Sequence, residues 1–137
     1  MRPWQHLILA PVWLCALVVC LGAISGPDLG AEGKLYRVVD GKVDRGTYNG
    51  FRRYSAGCNH CHGPDGVGST FAPSLIEGMP PPAAFRDIVL NGRRDGTKVM
   101  KGFAGDPNVE PYVDDIYAYL QARADGALGR GRPERLE

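Results

Sequence analysis

Cys58-Asn59-His60-Cys61-His62 sets two thiols three residues apart, with a histidine directly after the second. On a helical path each residue turns by about 100°, so Cys58, Cys61 and His62 fall on one face. Thiols so placed can add to the two vinyl groups of one porphyrin while the imidazole stands beneath its iron. This is the spacing that attaches a c-type haem. His60 points away from that face and reads as a surface residue.

Two other chemistries could use some of these side chains. A structural zinc site takes four ligands, and beyond the cluster neither cysteine nor histidine recurs. A redox dithiol of the Cys-x-x-Cys kind belongs in a βαβ setting, which the surrounding sequence does not offer. Haem attachment is the reading that employs Cys58, Cys61 and His62 together.

Iron held by histidine alone would be open to small ligands, whereas a second strong ligand turns the group into an electron carrier. Thioether sulfur opposite histidine raises the reduction potential and suits electron transfer. Beyond the N-terminal leader the methionines are Met79 and Met100. Met100 lies in the glycine-flanked run Lys98 to Phe103, far enough along to return across the haem, and is the expected axial partner of His62. Met79 follows closely amid prolines and would have to double back. Gap-filling in an apolar core is the alternative role for either. Arg93, Arg94, Lys98 and Lys101 are expected to form a basic patch beside the haem edge, able to steer an acidic partner.

The elements that would position these groups are mostly helical. Asp44 or Thr47 can cap a first helix running through Tyr48, Phe51 and Tyr54 to the cysteines. Gly50 inside it costs about 1 kcal/mol relative to alanine, which a close helix crossing would explain. Gly63-Pro64-Asp65-Gly66 ends the turn after His62. A second helix spans Ala83 to Leu90, with Phe85, Ile88 and Val89 as its stripe and Asn91-Gly92 as its stop. A last helix spans Val109 to about Ala124, on the repeat Val109, Val113, Ile116, Leu120. Asp40-Gly41 marks either a hairpin or an extended lead-in. Arg93 to Asn108 reads as a glycine-rich loop, and the arginine-rich tail after Gly129 is expected to fray.

The chain opens on a basic start and an apolar run from Leu7 to Ile24, with Ala23 and Ser25 suited to the −3 and −1 positions of a cleavage site. That pattern is a secretory signal peptide over residues 1–25, cleaved near Gly26; an uncleaved anchor is the alternative. Export and a c-type haem predict the same compartment, the periplasm. Cleavage removes Cys15 and Cys20, leaving only the two thiols of the motif. It also removes one of 16 basic residues, so that basic and acidic residues balance and nothing points to nucleic acid. With 19 glycines and 11 prolines the chain buries a modest core, to which a haem would add a large apolar surface.

A helix before Cys58-x-x-Cys61-His62, Pro73 eleven residues after the histidine, the Met100 run and a last helix ending Ile116-Tyr117-Ala118-Tyr119-Leu120 resemble a class I cytochrome c over Asp44 to Ala124. The resemblance implies a mostly α fold of small helices wrapped around one covalently bound haem. It also implies that the first and last helices cross, at Gly50 and Phe51 against Tyr119 and Leu120, and that the Pro73 carbonyl orients the His62 ring. The organisation it suggests is a signal peptide (1–25), an N-terminal extension (26–43), the cytochrome domain (44–124) and a C-terminal tail (125–137).

A narrower likeness extends outside that core. Tyr36-Arg37-Val38-Val39-Asp40-Gly41-Lys42-Val43-Asp44, Gly46-Thr47-Tyr48-Asn49-Gly50, Asp114-Asp115-Ile116 and Asp125-Gly126-Ala127-Leu128-Gly129-Arg130-Gly131-Arg132-Pro133 resemble the methanol-metabolism-related cytochromes c. The chain departs from them at Met100-Lys101, where Met-Pro is common, and at Glu110-Pro111, where several carry a cysteine. The likeness implies a monomeric periplasmic carrier that takes electrons from a PQQ-dependent alcohol or methanol dehydrogenase and passes them to another cytochrome or a terminal oxidase. A carrier for a different dehydrogenase or oxidase, or a peroxidase-like haem protein with an open sixth site, are the alternatives.

Overall fold

Asp44 caps the first helix, α1 (Arg45–Gly57), with its carboxylate, one oxygen of which faces a free amide of the first turn. One accepts from the Thr47 N–H at 3.0 Å; the other accepts from the Thr47 hydroxyl at 2.6 Å and from the Arg37 N–H at 2.7 Å. Asp44 is thus the cap and Thr47, fully buried, is its partner. The computed structural model describes residues 33–137, so the expected leader and its cleavage site fall outside the described residues.

The helix does not run unbroken into the motif. Cys58 donates to the Tyr54 carbonyl at 2.9 Å, while its own carbonyl accepts from Cys61 and His62 at 3.2 and 3.0 Å and starts a one-turn helix, α2 (Asn59–His62). A short 3₁₀ turn, Pro64–Gly66, follows. Next comes α3 (Pro82–Asn91), which buries Phe85 and Val89 and stops at Gly92, φ +81°. The last helix, α4 (Val113–Ala124), is preceded by a 3₁₀ turn at Glu110–Tyr112. Val109, Val113, Ile116 and Leu120 are all buried, as their spacing predicts.

α1 and α4 cross closely at Gly50. A Cβ there would lie 1.9 Å from the Asp115 carbonyl oxygen, so only glycine permits the approach. The crossing therefore sits about one turn earlier in α4 than the expected Tyr119–Leu120 for Gly50. Phe51 does meet Tyr119, edge to face, with ring centroids 5.6 Å apart.

Small strands close the structure. β1 (Val38–Val39) and β2 (Lys42–Val43) form a hairpin through Asp40 and Gly41, both at positive φ (50° and 76°), the backbone of a type I′ turn. Two sequence expectations are corrected here. The run after α3 is a hairpin, β3 (Arg93–Asp95) with β4 (Lys98–Met100), in the register Arg93↔Met100. The tail is not frayed, because β5 (Glu134–Arg135) pairs in parallel with β2 and Leu136 donates to the Val43 carbonyl at 2.8 Å. Among the described residues no helix is long and apolar enough to cross a membrane.

Candidate functional site

His62 is the buried member of the motif; Cys58 is half-buried, and Cys61 and His60 are exposed. The His62 Nδ1 lies 3.0 Å from the Pro73 carbonyl oxygen. A carbonyl can only accept, so Nδ1 carries a proton, and the position left for a lone pair that could bind a metal is Nε2. Nε2 has no hydrogen-bond partner among the described residues, and no buried polar side-chain atom there is left unpaired, so Nε2 opens onto accessible space.

The loop that brings Pro73 back is folded tightly onto α2. Gly63 (φ +71°) lies so near Gly68 that a Cβ would come within 2.2 Å of the Gly68 carbonyl oxygen. The Gly68 N–H donates to the His62 carbonyl at 2.8 Å, and Leu75 donates to Gly66 at 2.8 Å. The Ser69 hydroxyl donates to the Cys61 carbonyl and accepts from the Phe71 N–H. From below, the Tyr54 hydroxyl donates to the Gly63 carbonyl. Burial pushes the Tyr54 phenol up to about 12, so it remains a donor throughout the physiological range. Burial likewise pushes the Cys58 thiol up to about 11.

Asp65 ties this turn to the tail. It sits at φ +60°. Its carboxylate accepts from the Gly131 N–H at 3.0 Å, from Arg130 Nε at 3.1 Å and from the Tyr119 hydroxyl at 3.4 Å. Its carbonyl accepts from Nε of the buried Arg123 at 3.4 Å. Burial opposes its ionisation, but the hydrogen bonds from Gly131 and Arg130 and the nearby guanidinium of Arg123 outweigh it and hold the carboxyl below the usual range.

Met100 comes from a different element, at the end of β4, and is half-buried. Its stretch lies backbone to backbone on the end of α3. A Cβ at Gly92 would be 2.7 Å from the Met100 carbonyl oxygen, and one at Gly102 would be 2.5 Å from that of Leu90. Phe103 and Ala104 donate to Val89 and Leu90, each at 3.0 Å. Met79 is also half-buried, and with Cys58, Leu75, Ile76, Leu90, Met100 and Phe103 it packs against the central core.

These residues fit a covalently held haem. Two unpaired thiols, a buried imidazole with its second nitrogen bare, and half-buried apolar side chains around the core are what a tethered porphyrin needs. Zinc is not served in the same way, since no group of three or more His, Cys, Asp or Glu side chains gathers to hold a metal ion among the described residues. The structure sets Cys58, Cys61 and His62 around one turn and places the Pro73 carbonyl against the His62 ring, the arrangement expected from the sequence. Sequence reasoning missed Asp65, the Tyr54 hydroxyl and the backbone contacts at Gly63, Gly68, Gly92 and Gly102. Three glycines in the six residues after His62 were the available signal for that close packing.

Comparison with known proteins gives concordant matches. The family described as cytochrome c oxidase, cbb3-type, subunit III matches residues 47–120. Cytochrome c-553I of Paracoccus denitrificans is 41% identical over an alignment of 136 residues that covers 88% of this chain and 60% of that protein. Cytochrome c-555 of Methylococcus capsulatus is 34% identical over 125 residues, 89% of each chain. The crystal structure of the c-type cytochrome XoxG from Methylobacterium extorquens AM1 is similar with a TM-score of 0.70 and 45% identity, covering 74% of this chain and 67% of that one.

Proposed function

The chain belongs to the c-type cytochromes, electron carriers with covalently bound haem c, and from that premise we propose that it works in the periplasm between a PQQ-dependent alcohol or methanol dehydrogenase and a downstream cytochrome or terminal oxidase. In this reading Cys58 and Cys61 would hold the haem by thioethers, and His62 Nε2 and Met100 Sδ would supply the ligands to its iron. The orientation of His62 carries the reading: its Nδ1 is engaged by Pro73 at 3.0 Å and its Nε2 is bare. The likeness of the outer stretches to methanol-metabolism-related cytochromes c, together with the 45% identity to XoxG, supports the choice of donor.

Haem c supplies a one-electron ferric/ferrous couple whose potential follows its ligands and surroundings. The chain's own part is to keep both ligands still. The Pro73 carbonyl fixes the tautomer and orientation of the His62 ring, as partners of ligating histidines do. Gly92 and Gly102 lock the Met100 stretch to α3, so little has to move when the charge at the site changes. On the surface, Arg93, Arg94, Lys98 and Lys101 are exposed, and their field raises the encounter rate with an acidic partner.

The deciding experiment mixes the ferric holoprotein with a substrate-reduced quinoprotein dehydrogenase and follows haem reduction by stopped flow. Reduction that saturates with dehydrogenase and slows as salt is added is expected. No reduction by any quinoprotein, with ready carbon monoxide binding to the ferrous protein, would replace this reading by a haem protein with an open sixth site.

A further inference from the structure

Asp65 stands three residues beyond His62, and its carboxylate is the charge most fully enclosed in that turn. Its side chain is only 10% exposed, against 65% for its ion-pair partner Arg130. The left-handed backbone at this position suits asparagine as well as aspartate, and an amide oxygen would accept the Gly131 N–H equally well. What aspartate adds is a negative charge. Arg130, contributed by the tail 65 residues away in sequence, balances it. The other cation facing Asp65, the buried Arg123, is committed to the Asp65 and Leu128 carbonyls.

We propose that Asp65 and Arg130 are a charge pair that sets the reduction potential of the haem held on Cys58 and Cys61, with Asp65 favouring the ferric state and Arg130 the ferrous state. The tail is then part of the redox site, because it carries Arg130 and Gly131 to the turn. Asp65 acts as a positioning and tuning residue and touches neither iron nor partner. The inference rests on bound haem c and is independent of which dehydrogenase supplies the electron.

The test is mediator-coupled potentiometry on the holoprotein and its variants, with no dehydrogenase present. Asp65→Asn keeps the turn and removes the charge. It should raise the ferrous-to-ferric ratio at a fixed potential by about threefold, the order Coulomb's law gives for a partly screened unit charge; at 59 mV per tenfold for one electron that is about 28 mV. Arg130→Gln should lower the ratio by a smaller factor, since its charge is more exposed, and Arg130→Lys should restore it. The double variant Asp65→Asn/Arg130→Gln should fall between the two singles.

A purely structural clamp behaves differently: loosening the turn from either side admits water and moves both variants the same way. Shifts of the same sign, or no shift beyond about 1.3-fold in either variant, overturn the proposal. If Asp65→Asn does not mature, the arginine pair decides alone. Arg130→Gln below wild type with Arg130→Lys at wild type supports the proposal, and identical potentials for the two reject it. The visible spectrum of each variant should remain that of the wild type.

Discussion

Each ring nitrogen of His62 has a different task, and the consequences are spectroscopic. If Met100 is the ligand, as proposed, Met100→Ala should abolish the ferric methionine–iron charge-transfer band and let carbon monoxide bind the ferrous protein, while Met79→Ala should leave the band intact; the reverse pattern would exchange the two methionines. Asp44 makes a second prediction. Burial opposes its ionisation, yet hydrogen bonds from the Thr47 hydroxyl and from the amides of Thr47, Arg37 and Gly46 hold its folded pKa below the ordinary 3.8. A depressed carboxyl contributes stability above its unfolded pKa and loses it as pH falls through the folded value. Asp65 has the same sign. Asp115, raised by burial and by the neighbouring charges of Asp44 and Asp114, has the opposite sign. Chemical denaturation should therefore show stability falling below about pH 4, with a shallower fall in Asp44→Asn. At neutral pH, Asp44→Ala should cost about 1–2 kcal/mol, the worth of a helix cap.

Among the elements, the α1–α4 crossing gives the sharpest expectation. Alanine at Gly50 would gain about 1 kcal/mol of helix propensity, but its methyl would meet the Asp115 carbonyl at 1.9 Å. Overpacking of backbone against backbone wins, and Gly50→Ala should destabilise the holoprotein by about 3 kcal/mol in denaturant titration. That glycine, the Asp44 cap and the four-three-four repeat of α4 were legible because each obeys a local rule of capping, periodicity or steric cost. The β3–β4 hairpin was not. Arg93-Arg94-Asp95-Gly96-Thr97-Lys98 has no alternation of apolar and polar residues, and Val99 on β4 points to solvent at 59% exposure. Its pairing is decided by the docking of Met100 through Phe103 on α3, which no local pattern announces. Asp65 was illegible for a related reason: its partners come from two distant stretches, α4 and the tail, and only the folded chain assembles them.

For the molecule as a whole, the tail is the largest departure from expectation. A glycine- and arginine-rich segment with little to bury reads as loose, yet this one is held by backbone pairing with β2, by Asp65 and by the Arg132 guanidinium, which bonds the Tyr48 hydroxyl at 2.6 Å. Removing residues 130–137 should lower the thermal midpoint of the holoprotein by about 5–10 °C, the effect of losing ~1–2 kcal/mol in a domain of this size, while the visible spectrum still reports a covalently attached haem. Calorimetry and the spectrum of the truncated protein check both halves of that statement.

The β2–β5 pairing joins Lys42 to Glu134, and this fixes an order of events. Contacts so distant in sequence carry a large loop-closure cost and form after the local ones. The helices and the Cys58-to-His62 turn can therefore take shape while the last strand is still free, leaving the thiols approachable during maturation. The tail then acts as the closing knot of a drawstring, tightened over the turn once haem is in place.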